Sequence, residues 1–236
     1  MLYRGIIHVH SSFSYDSFMK PSTIVNIAEK NNLNFIIVTD HDTIAGAVEV
    51  QRIVKKRGLN IEVPLAAEYK TSYGDVIAAF IDYELKNMDF DTFCNEVRRQ
   101  NGIILLPHPF KGHQNIEYLV EKSDLIETFN SRASRQANEK ALEIAVRKQK
   151  PYYAASDAHL SNELLNTVLK LNSEYDLKNA LLNSEIYCEV NNSSNPYNII
   201  CSQCIKAIKK RDIKLLGAQT KSFMSYLYNR DLLKPF

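Results

Sequence analysis

The feature of the sequence that most constrains the fold is a series of short apolar runs, each of which leads into a histidine or a carboxylate. The runs occupy residues 3–9, 34–39, 60–67, 103–106 and 152–156. The side chains at or just beyond their ends are His8, His10, His41, Glu68, His108, Asp157 and His159. Helical patterns separate the runs, and continuous apolar runs are typical of parallel strands covered on both faces. The sequence therefore predicts an α/β fold.

Four helices are predicted between the strands, at residues 21–31, 44–57, 90–101 and 134–149. In the first, Ile24, Ile27 and Ala28 have the spacing of a buried helix face, and Pro21 suits the first turn. Further strands are expected at 76–81, as a hairpin partner, and at 124–129 and 185–190, with an otherwise helical pattern beyond residue 160. Ligands in parallel α/β folds gather at the carboxyl ends of the strands, so the polar side chains are expected to share one pocket.

Two pairs of residues, each with a spacing of two positions, indicate metal binding. His8 and His10 are two residues apart on a strand, so both side chains point to one face, and Asp16 follows them closely. Asp157 and His159 repeat the two-residue spacing at another strand end. A lone buried histidine is more often a hydrogen-bonded core residue, whereas two on one face beside an acid favour a metal site.

The remaining candidates each have a second interpretation. In Asp40-His41-Asp42, either aspartate could cap the helix that starts near residue 44 while His41 binds metal. Glu68 could form a salt bridge at the mouth of a barrel or bridge two cations. His108 lies between two prolines, which would hold it rigidly. Imidazole and carboxylate ligands without thiolates suit Mn²⁺, Fe²⁺ or Zn²⁺, and eight such ligands are too many for one ion.

Several segments together resemble the motifs of the PHP (polymerase and histidinol phosphatase) superfamily. They are His8-Val9-His10-Ser11, Thr39-Asp40-His41-Asp42, Glu68, Pro107-His108-Pro109 and Ser156-Asp157-Ala158-His159. Their order and strand context match from residue 6 to 159. The segments 127–132 and 155–159 also resemble the C-terminal region that is associated with compact, stand-alone PHP proteins.

The resemblance implies a distorted (β/α)₇ barrel that holds two or three divalent metal ions. In that arrangement His8, His10, Glu68 and Asp157 would hold one ion, Glu68 would bridge to a second ion at His108, and Asp16, His41 and His159 would hold a third. Asp40 would orient its neighbours without binding metal. A metal-bound hydroxide would attack phosphorus, and no side chain would serve as the nucleophile.

A phosphorylated substrate also needs cationic partners outside the metal shell. Lys111, Arg132 and Arg135 lie in predicted loops after sheet strands, so we expect them to face the pocket, where arginine and lysine suit phosphate oxygens. Each could instead be a surface charge. His113 could contact substrate or act as an acid, although an exposed loop histidine is the simpler expectation.

The leading functional hypothesis is a metal-dependent phosphoesterase that acts on a small phosphomonoester, a nucleotide or the 5′ end of a short oligonucleotide. A phosphotyrosine-protein phosphatase of the PHP type would use the same centre. A non-catalytic nucleic-acid-binding module is the alternative from another class, because residues 206–236 hold eight Lys or Arg and only two Asp.

Composition limits the remaining possibilities. We expect a single domain over residues 1–236, with a barrel core at about 1–190 and a basic helical extension at 191–236 that packs on the barrel or on a partner. No apolar run approaches the length of a membrane span, and the N-terminus makes a poor signal peptide, so a cytoplasmic protein without a membrane partner is expected. The sequence leaves the oligomeric state open.

Overall fold

The computed structural model describes residues 1–86 and 88–229, and it has a mixed α/β architecture. The strands are β1 (Leu2–Val9), β2 (Phe35–Val38), β3 (Ala66–Thr71), β4 (Gly74–Ala79), β5 (Ile103–Leu106), β6 (Leu125–Asn130), β7 (Tyr152–Ala155), β8 (Thr167–Asn172) and β9 (Tyr187–Val190). The helices are α1 (Pro21–Lys30), α2 (Ala45–Arg57), α3 (Phe90–Arg99), α4 (Ile116–Lys122), α5 (Arg135–Arg147), α6 (Leu177–Asn183), α7 (Pro196–Lys210) and α8 (Ile213–Asn229).

The strands form two sheets, in the orders β2-β1-β8-β9 and β3-β4-β5-β6-β7. The pairs β1/β2, β5/β6 and β6/β7 are parallel, as the sequence predicts. The expectation of parallel strands has two exceptions: β4 pairs antiparallel with β3, as the predicted hairpin requires, and with β5, whereas β8 pairs antiparallel with β1 and β9, which was not predicted. The short turn between β3 and β4 explains the first exception, because a hairpin reverses the chain.

Parallel bridges connect the two sheets at the ends of their strands. His41 pairs with Glu68 and Phe35 with Glu62, which joins the β2 side of one sheet to the β3 side of the other. Val9 pairs with Ala158, just after β7. The strand ends that carry the polar motifs are therefore adjacent in space, which is what places the site.

The buried apolar residues fall into three clusters, one between the two sheets and two beneath the helices. The cluster between the sheets takes residues from eight strands, with Phe35, Ile77 and Tyr153 among its large members. The outer clusters pack α3, α4 and α5 against one sheet and α1 and α2 against the other. Both faces of the strands are therefore covered, which accounts for their continuous apolar sequences.

One predicted strand begins later than expected, and one segment expected to be helical is a strand. The strand expected at 60–67 begins only at Ala66 and continues to Thr71, because its pairing partner is β4, with Glu68 opposite Ile77. Residues 167–172, expected to be helical, form β8 along the edge of β1. No helix in the described part of the chain combines the length and apolar character that a bilayer span requires.

Candidate metal centre

The eight predicted metal ligands lie together at the junction of the two sheets. Their ligand atoms form overlapping groups in which all atoms lie within 4.8 Å of one another. The groups are His10, Asp16, His41 and His159; His8, His108 and Asp157; His8, His10 and Glu68; and Glu68, Asp75 and His108. Residues separated by up to 151 positions in sequence therefore share one site, which a single cluster of cations could occupy.

Glu68 occupies the middle of the site. Its Oε2 lies 3.5 Å from Nε2 of both His8 and His10 and 3.2 Å from Nδ1 of His41. Its Oε1 lies 3.2 Å from Nε2 of His108. Because its two oxygens face different histidines, Glu68 has the position that a bridging carboxylate requires.

Two aspartates complete the inner surface of the site. Asp157 Oδ1 lies 3.3 Å from His10 Nε2 and 3.5 Å from His8 Nε2. Asp16 Oδ2 lies 3.1 Å from His41 Nε2 and 3.2 Å from His159 Nε2. The imidazole nitrogens thus face carboxylate oxygens at 3.1–3.5 Å, and the contact between His41 Nε2 and Asp16 Oδ2 is itself a hydrogen bond.

Unpaired polar atoms provide the test of whether these residues fit metal ions. His8 and His10 are fully buried and Glu68 is 1% exposed, yet His8 Nε2, His10 Nε2 and Glu68 Oε1 have no hydrogen-bond partner. Polar atoms that are buried without a partner are costly, and they are rare in folded proteins. Divalent cations bound by these imidazoles and carboxylates would satisfy all three atoms. The residues therefore fit a site for divalent metal ions.

Glu127 orients two of the histidines from behind. Its Oε1 lies 2.9 Å from His8 Nδ1, and its Oε2 accepts the backbone N–H of His108 at 2.5 Å. Asn130 donates to the same Oε2 at 2.9 Å. A carboxylate on Nδ1 leaves Nε2 of His8 free to face the centre, which is how outer carboxylates position metal-binding histidines.

Asp40 has a comparable supporting position. It accepts the backbone N–H of Ser11 at 2.5 Å and the Ser11 hydroxyl at 2.6 Å, so it holds the turn that follows His10. A Cβ at Gly46 would lie 1.7 Å from Asp40 Oδ2, and only glycine can therefore stand beside it. Burial raises the pKa of Asp40 to about 6, against the effect of the Ser11 hydrogen bonds.

The charged groups of the centre perturb one another strongly. Burial and the neighbouring His159 lower the pKa of His10 to about 3, which favours the neutral imidazole that a metal ligand requires. Burial also lowers the pKa of His41. The negative charges of Glu68 and Asp16 have the larger effect and raise this pKa to about 9. Burial would raise the pKa of Asp16, yet His159 and His41 hold it well below its usual range.

Backbone strain also occurs in this part of the structure. His8, Asp42, His108 and Asp157 have positive φ angles of 63°, 57°, 29° and 49°, although none is glycine. The pairing register of β1 shifts between Ile7 and Val9, which is an irregularity centred on His8. Strained conformations of this kind cost free energy and accumulate at functional sites, where the surrounding structure enforces them.

The centre opens into a cavity of about 270 Å³. The predicted Lys111 lines it, with Nζ 3.6 Å from Asp157 Oδ2. Arg132 lines it too, but its guanidinium donates to Asn198 O and to the Ser202 hydroxyl and lies 3.6 Å from Glu163. Arg132 therefore joins α7 to the rest of the protein, and its contact with substrate stays a prediction.

Two expectations about the cavity need correction. Arg135 does not face it, because this residue begins α5, where its side chain is 92% exposed and pairs with Glu139. His113 is half-buried rather than exposed, with Nε2 2.7 Å from Asp75 O and its ring 5.4 Å from that of His108. A loop after a strand does not by itself determine which way its side chains point.

Sequence reasoning missed five residues of this region. They are Tyr15, Asp75, Glu127, Gln203 and Lys206. The hairpin predicted at 76–81 places Asp75 opposite Lys70, two residues from Glu68, and the sequence alone does not give this register. Glu127 stands at the end of an apolar run like the ligands themselves. No local signal marks Gln203 and Lys206, which reach the site only because α7 folds over it.

Fold and site together define a mixed α/β protein with a buried cluster of histidines and carboxylates that could hold metal ions. The PHP domain family matches residues 7–213, and the chain belongs to this family. This match confirms the predicted resemblance to the PHP superfamily.

Two proteins of Methanocaldococcus jannaschii are similar in sequence. Uncharacterized protein MJ0417 is 30% identical over 176 residues, which cover 70% of this chain and 68% of the relative. Uncharacterized protein MJ1587 is 28% identical over 115 residues, which cover 44% of this chain and 66% of the relative. The chain thus spans about two thirds of the length of these relatives.

Solved structures show the same fold at low sequence identity. A two-domain protein from Bacteroides vulgatus that contains a predicted PHP-like metal-dependent phosphoesterase has a TM-score of 0.67 at 17% identity, covering 80% of this chain and 65% of that one. The lesion-specific endonuclease EndoQ from Pyrococcus furiosus has a TM-score of 0.56 at 15% identity, covering 79% and 58%. Identities this low show the fold alone.

Proposed function

We propose that the protein is a metal-dependent phosphoesterase that hydrolyses a phosphomonoester, a nucleotide or the 5′ end of a short oligonucleotide. The observation that carries this proposal is the convergence of eight imidazole and carboxylate side chains, several with unpaired buried atoms, at one site, where all of them except His8 and His10 line an open cavity. No serine or cysteine nucleophile is needed for such chemistry.

Two or three Mn, Fe or Zn ions would fit the centre. His8, His10, Glu68 and Asp157 would hold one, Glu68 and His108 a second, and Asp16, His41 and His159 a third. The geometry adds Asp75 to the second group and His10 to the third. When bound, the ions supply an activated water and neutralise charge on phosphate oxygens.

The protein's own residues would prepare this chemistry. Glu127 orients His8 and fixes the backbone of His108, and Asp40 holds the turn after His10. Lys111, exposed at the rim, would receive substrate phosphate, to which its flexible ammonium can adapt. Burial of the ligands excludes water from the floor of the cavity and strengthens the electrostatic interactions there.

We also propose that the two sheets form one distorted barrel and that residues 1–229 act as a single domain. The apolar cluster between the sheets contains residues from strands of both sheets. Isolated bridges join the four-stranded sheet to β3 and to the residues just after β7, which are the two edges of the five-stranded sheet. Contacts of α7 with Arg132 and with the loop after β1 support the inclusion of α7. The rest of the basic extension, residues 230–236, lies outside the described residues.

A substrate panel tests the proposed activity. Protein purified without chelators and supplied with Mn²⁺ would be assayed on histidinol phosphate, a nucleoside 3′,5′-bisphosphate, a 5′-phosphorylated oligonucleotide and a phosphotyrosine peptide. We expect turnover of one of the first three. Preference for the peptide would favour the phosphotyrosine phosphatase alternative, and binding of the oligonucleotide without any turnover would favour the nucleic-acid-binding module.

Removal of a central ligand should abolish this turnover. We expect His10→Ala and Asp157→Ala to lose activity while the protein remains folded, because both side chains face Glu68 or each other in the inner site. Glu143→Ala, which removes an exposed carboxylate on α5, is the matched control and should keep the wild-type rate. Near-wild-type turnover in either ligand variant would mean that hydrolysis occurs elsewhere.

A further inference from the structure

Helix α7 forms one wall of the catalytic cavity. Ile199, Gln203 and Lys206 all line it, and their spacing of four and three residues places them on one face of the helix. The helix begins at Pro196 after the N-cap Asn195, whose side chain accepts the Tyr197 N–H at 3.0 Å. A segment that sequence reasoning treated as an appended extension therefore contributes directly to the pocket.

Contacts on two sides hold α7 in this position. Near its start, Arg132 donates to Asn198 O at 3.2 Å and to the Ser202 hydroxyl at 2.5 Å. Near its end, Lys209 Nζ donates to the carbonyl oxygens of Ser12, Ser14 and Ser17 at 2.6–2.8 Å. These serines belong to the loop that carries Asp16. The helix is thus fixed to the metal-binding loop on one side and to the loop after β6 on the other.

Lys206 differs from Arg132, Lys209 and Lys111. Lys210, whose Nζ lies 3.8 Å from the centre of the Tyr15 ring, is exposed and is not among the residues that line the cavity. Arg132 and Lys209 use their donors within the protein, and Lys111 lies 3.6 Å from Asp157. Within residues 1–86 and 88–229, by contrast, no carboxylate forms an ion pair with Lys206. Its ammonium lies 5.0 Å from the centre of the Tyr15 ring, which in turn stacks on His41 at 4.4 Å. Lys206 is half-buried, so it presents an unmatched positive charge beside the metal ligands.

The charges of the cavity indicate what this cation would bind. The cavity is lined by four carboxylates and three cationic side chains, which are Asp16, Glu68, Asp75 and Asp157 and Lys111, Arg132 and Lys206. Bound divalent ions would change the net charge of this lining from negative to positive. A lysine beside such ions, facing open space, suits an oxygen of an anionic group that the ions also contact. Gln203, one turn away, brings an amide donor to the same wall.

We propose that Lys206, supported by Gln203, is a phosphate-binding residue of this site and acts from the α7 wall together with Lys111 at the rim. This inference rests on the proposed function, because it assigns the residue that receives the substrate's phosphate. It differs from the assignment of Arg132, whose donors are already engaged.

Binding of inorganic phosphate to the Mn²⁺-loaded protein tests the proposal without requiring turnover. Isothermal titration would compare wild type, Lys206→Met, Lys206→Arg and Lys214→Met, with manganese content measured for each. We expect Lys206→Met to weaken phosphate binding about tenfold, the scale of one charge-assisted hydrogen bond. Lys206→Arg should retain most of the affinity, and the control Lys214→Met, which removes an exposed charge from α8, should match wild type.

Three results would overturn the proposal. Unchanged phosphate affinity in Lys206→Met would show that the lysine only packs against Tyr15. Equal loss in Lys206→Met and Lys214→Met would indicate a general charge effect. Loss of manganese together with phosphate would mean that Lys206 maintains the metal ligands instead. Failure of the substrate panel alone would leave this assay interpretable, since it measures binding.

Discussion

Glu127 shows how much of the site depends on single residues that bind no metal. One of its oxygens faces His8 Nδ1 and the other accepts the His108 N–H. In Glu127→Gln the amide nitrogen cannot accept a hydrogen bond, so one of the two contacts is lost. We expect Mn²⁺ affinity to fall about 10- to 100-fold, measured by competition with a chelator of known affinity.

Glu143→Gln is the control for this substitution, since it makes the same change at an exposed position on α5. Equal Mn²⁺ affinity in Glu127→Gln and wild type would contradict the positioning role. Circular dichroism of both variants would confirm that the fold is retained.

At the scale of residues, the centre is predictable from the sequence because its ligands carry local signals. His8 and His10 share a strand face, Asp157 and His159 repeat the spacing, and the structure brings all of them together. The same reasoning could not find Asp75, which approaches Glu68 only through the register of a hairpin. It also placed Arg135 at the pocket, because a side chain's direction at the start of a helix depends on how that helix packs.

At the scale of elements, α7 and the loop after β1 depend on each other. Lys209 supplies three hydrogen bonds to that loop, and the Ser17 hydroxyl donates to His10 O and His159 O. We expect Lys209→Met to lower the free energy of unfolding by about 1–2 kcal/mol and to accelerate amide exchange in residues 12–18. Hydrogen-exchange mass spectrometry and chemical denaturation measure the two effects.

Lys214→Met again provides a matched control, because its side chain is exposed and its loss removes the same charge. Faster exchange confined to α7, with an unaltered loop, would show that Lys209 holds the helix alone. Unchanged exchange in both elements would contradict the described coupling.

Elements that are determined by residues close together in sequence were predicted correctly, whereas elements that depend on pairing with distant strands were not. The pattern of Ile24, Ile27 and Ala28 predicted α1, and Gly58, with φ of 64°, ends α2 as expected. Strand β8 was missed, since it exists by pairing with the edge of β1, a partner about 165 positions earlier in the chain. Glu68 lies inside β3 rather than at its end because β4 extends the ladder beyond it.

At the scale of the whole molecule, the fold brings together side chains that would be unstable if they were buried separately. The apolar cluster between the sheets supports a layer of buried imidazoles and carboxylates at the strand ends, and α7 closes one side of the opening. Family membership was predictable from the order and strand context of the motifs. The mixed α/β architecture was predictable from the alternation of apolar runs and helical patterns. The role of α7 was not, since it depends on the path of the chain after β9.

The central claim is that these converging side chains bind a cluster of divalent ions. Crystals of the wild-type protein grown with Mn²⁺ and measured at the manganese absorption edge would test it most directly. We expect two or three anomalous peaks, with Glu68 between two of them and with His8, His10, Asp157, His41 and His159 as ligands. Peaks elsewhere on the protein, or a centre without any peak at saturating Mn²⁺, would contradict it.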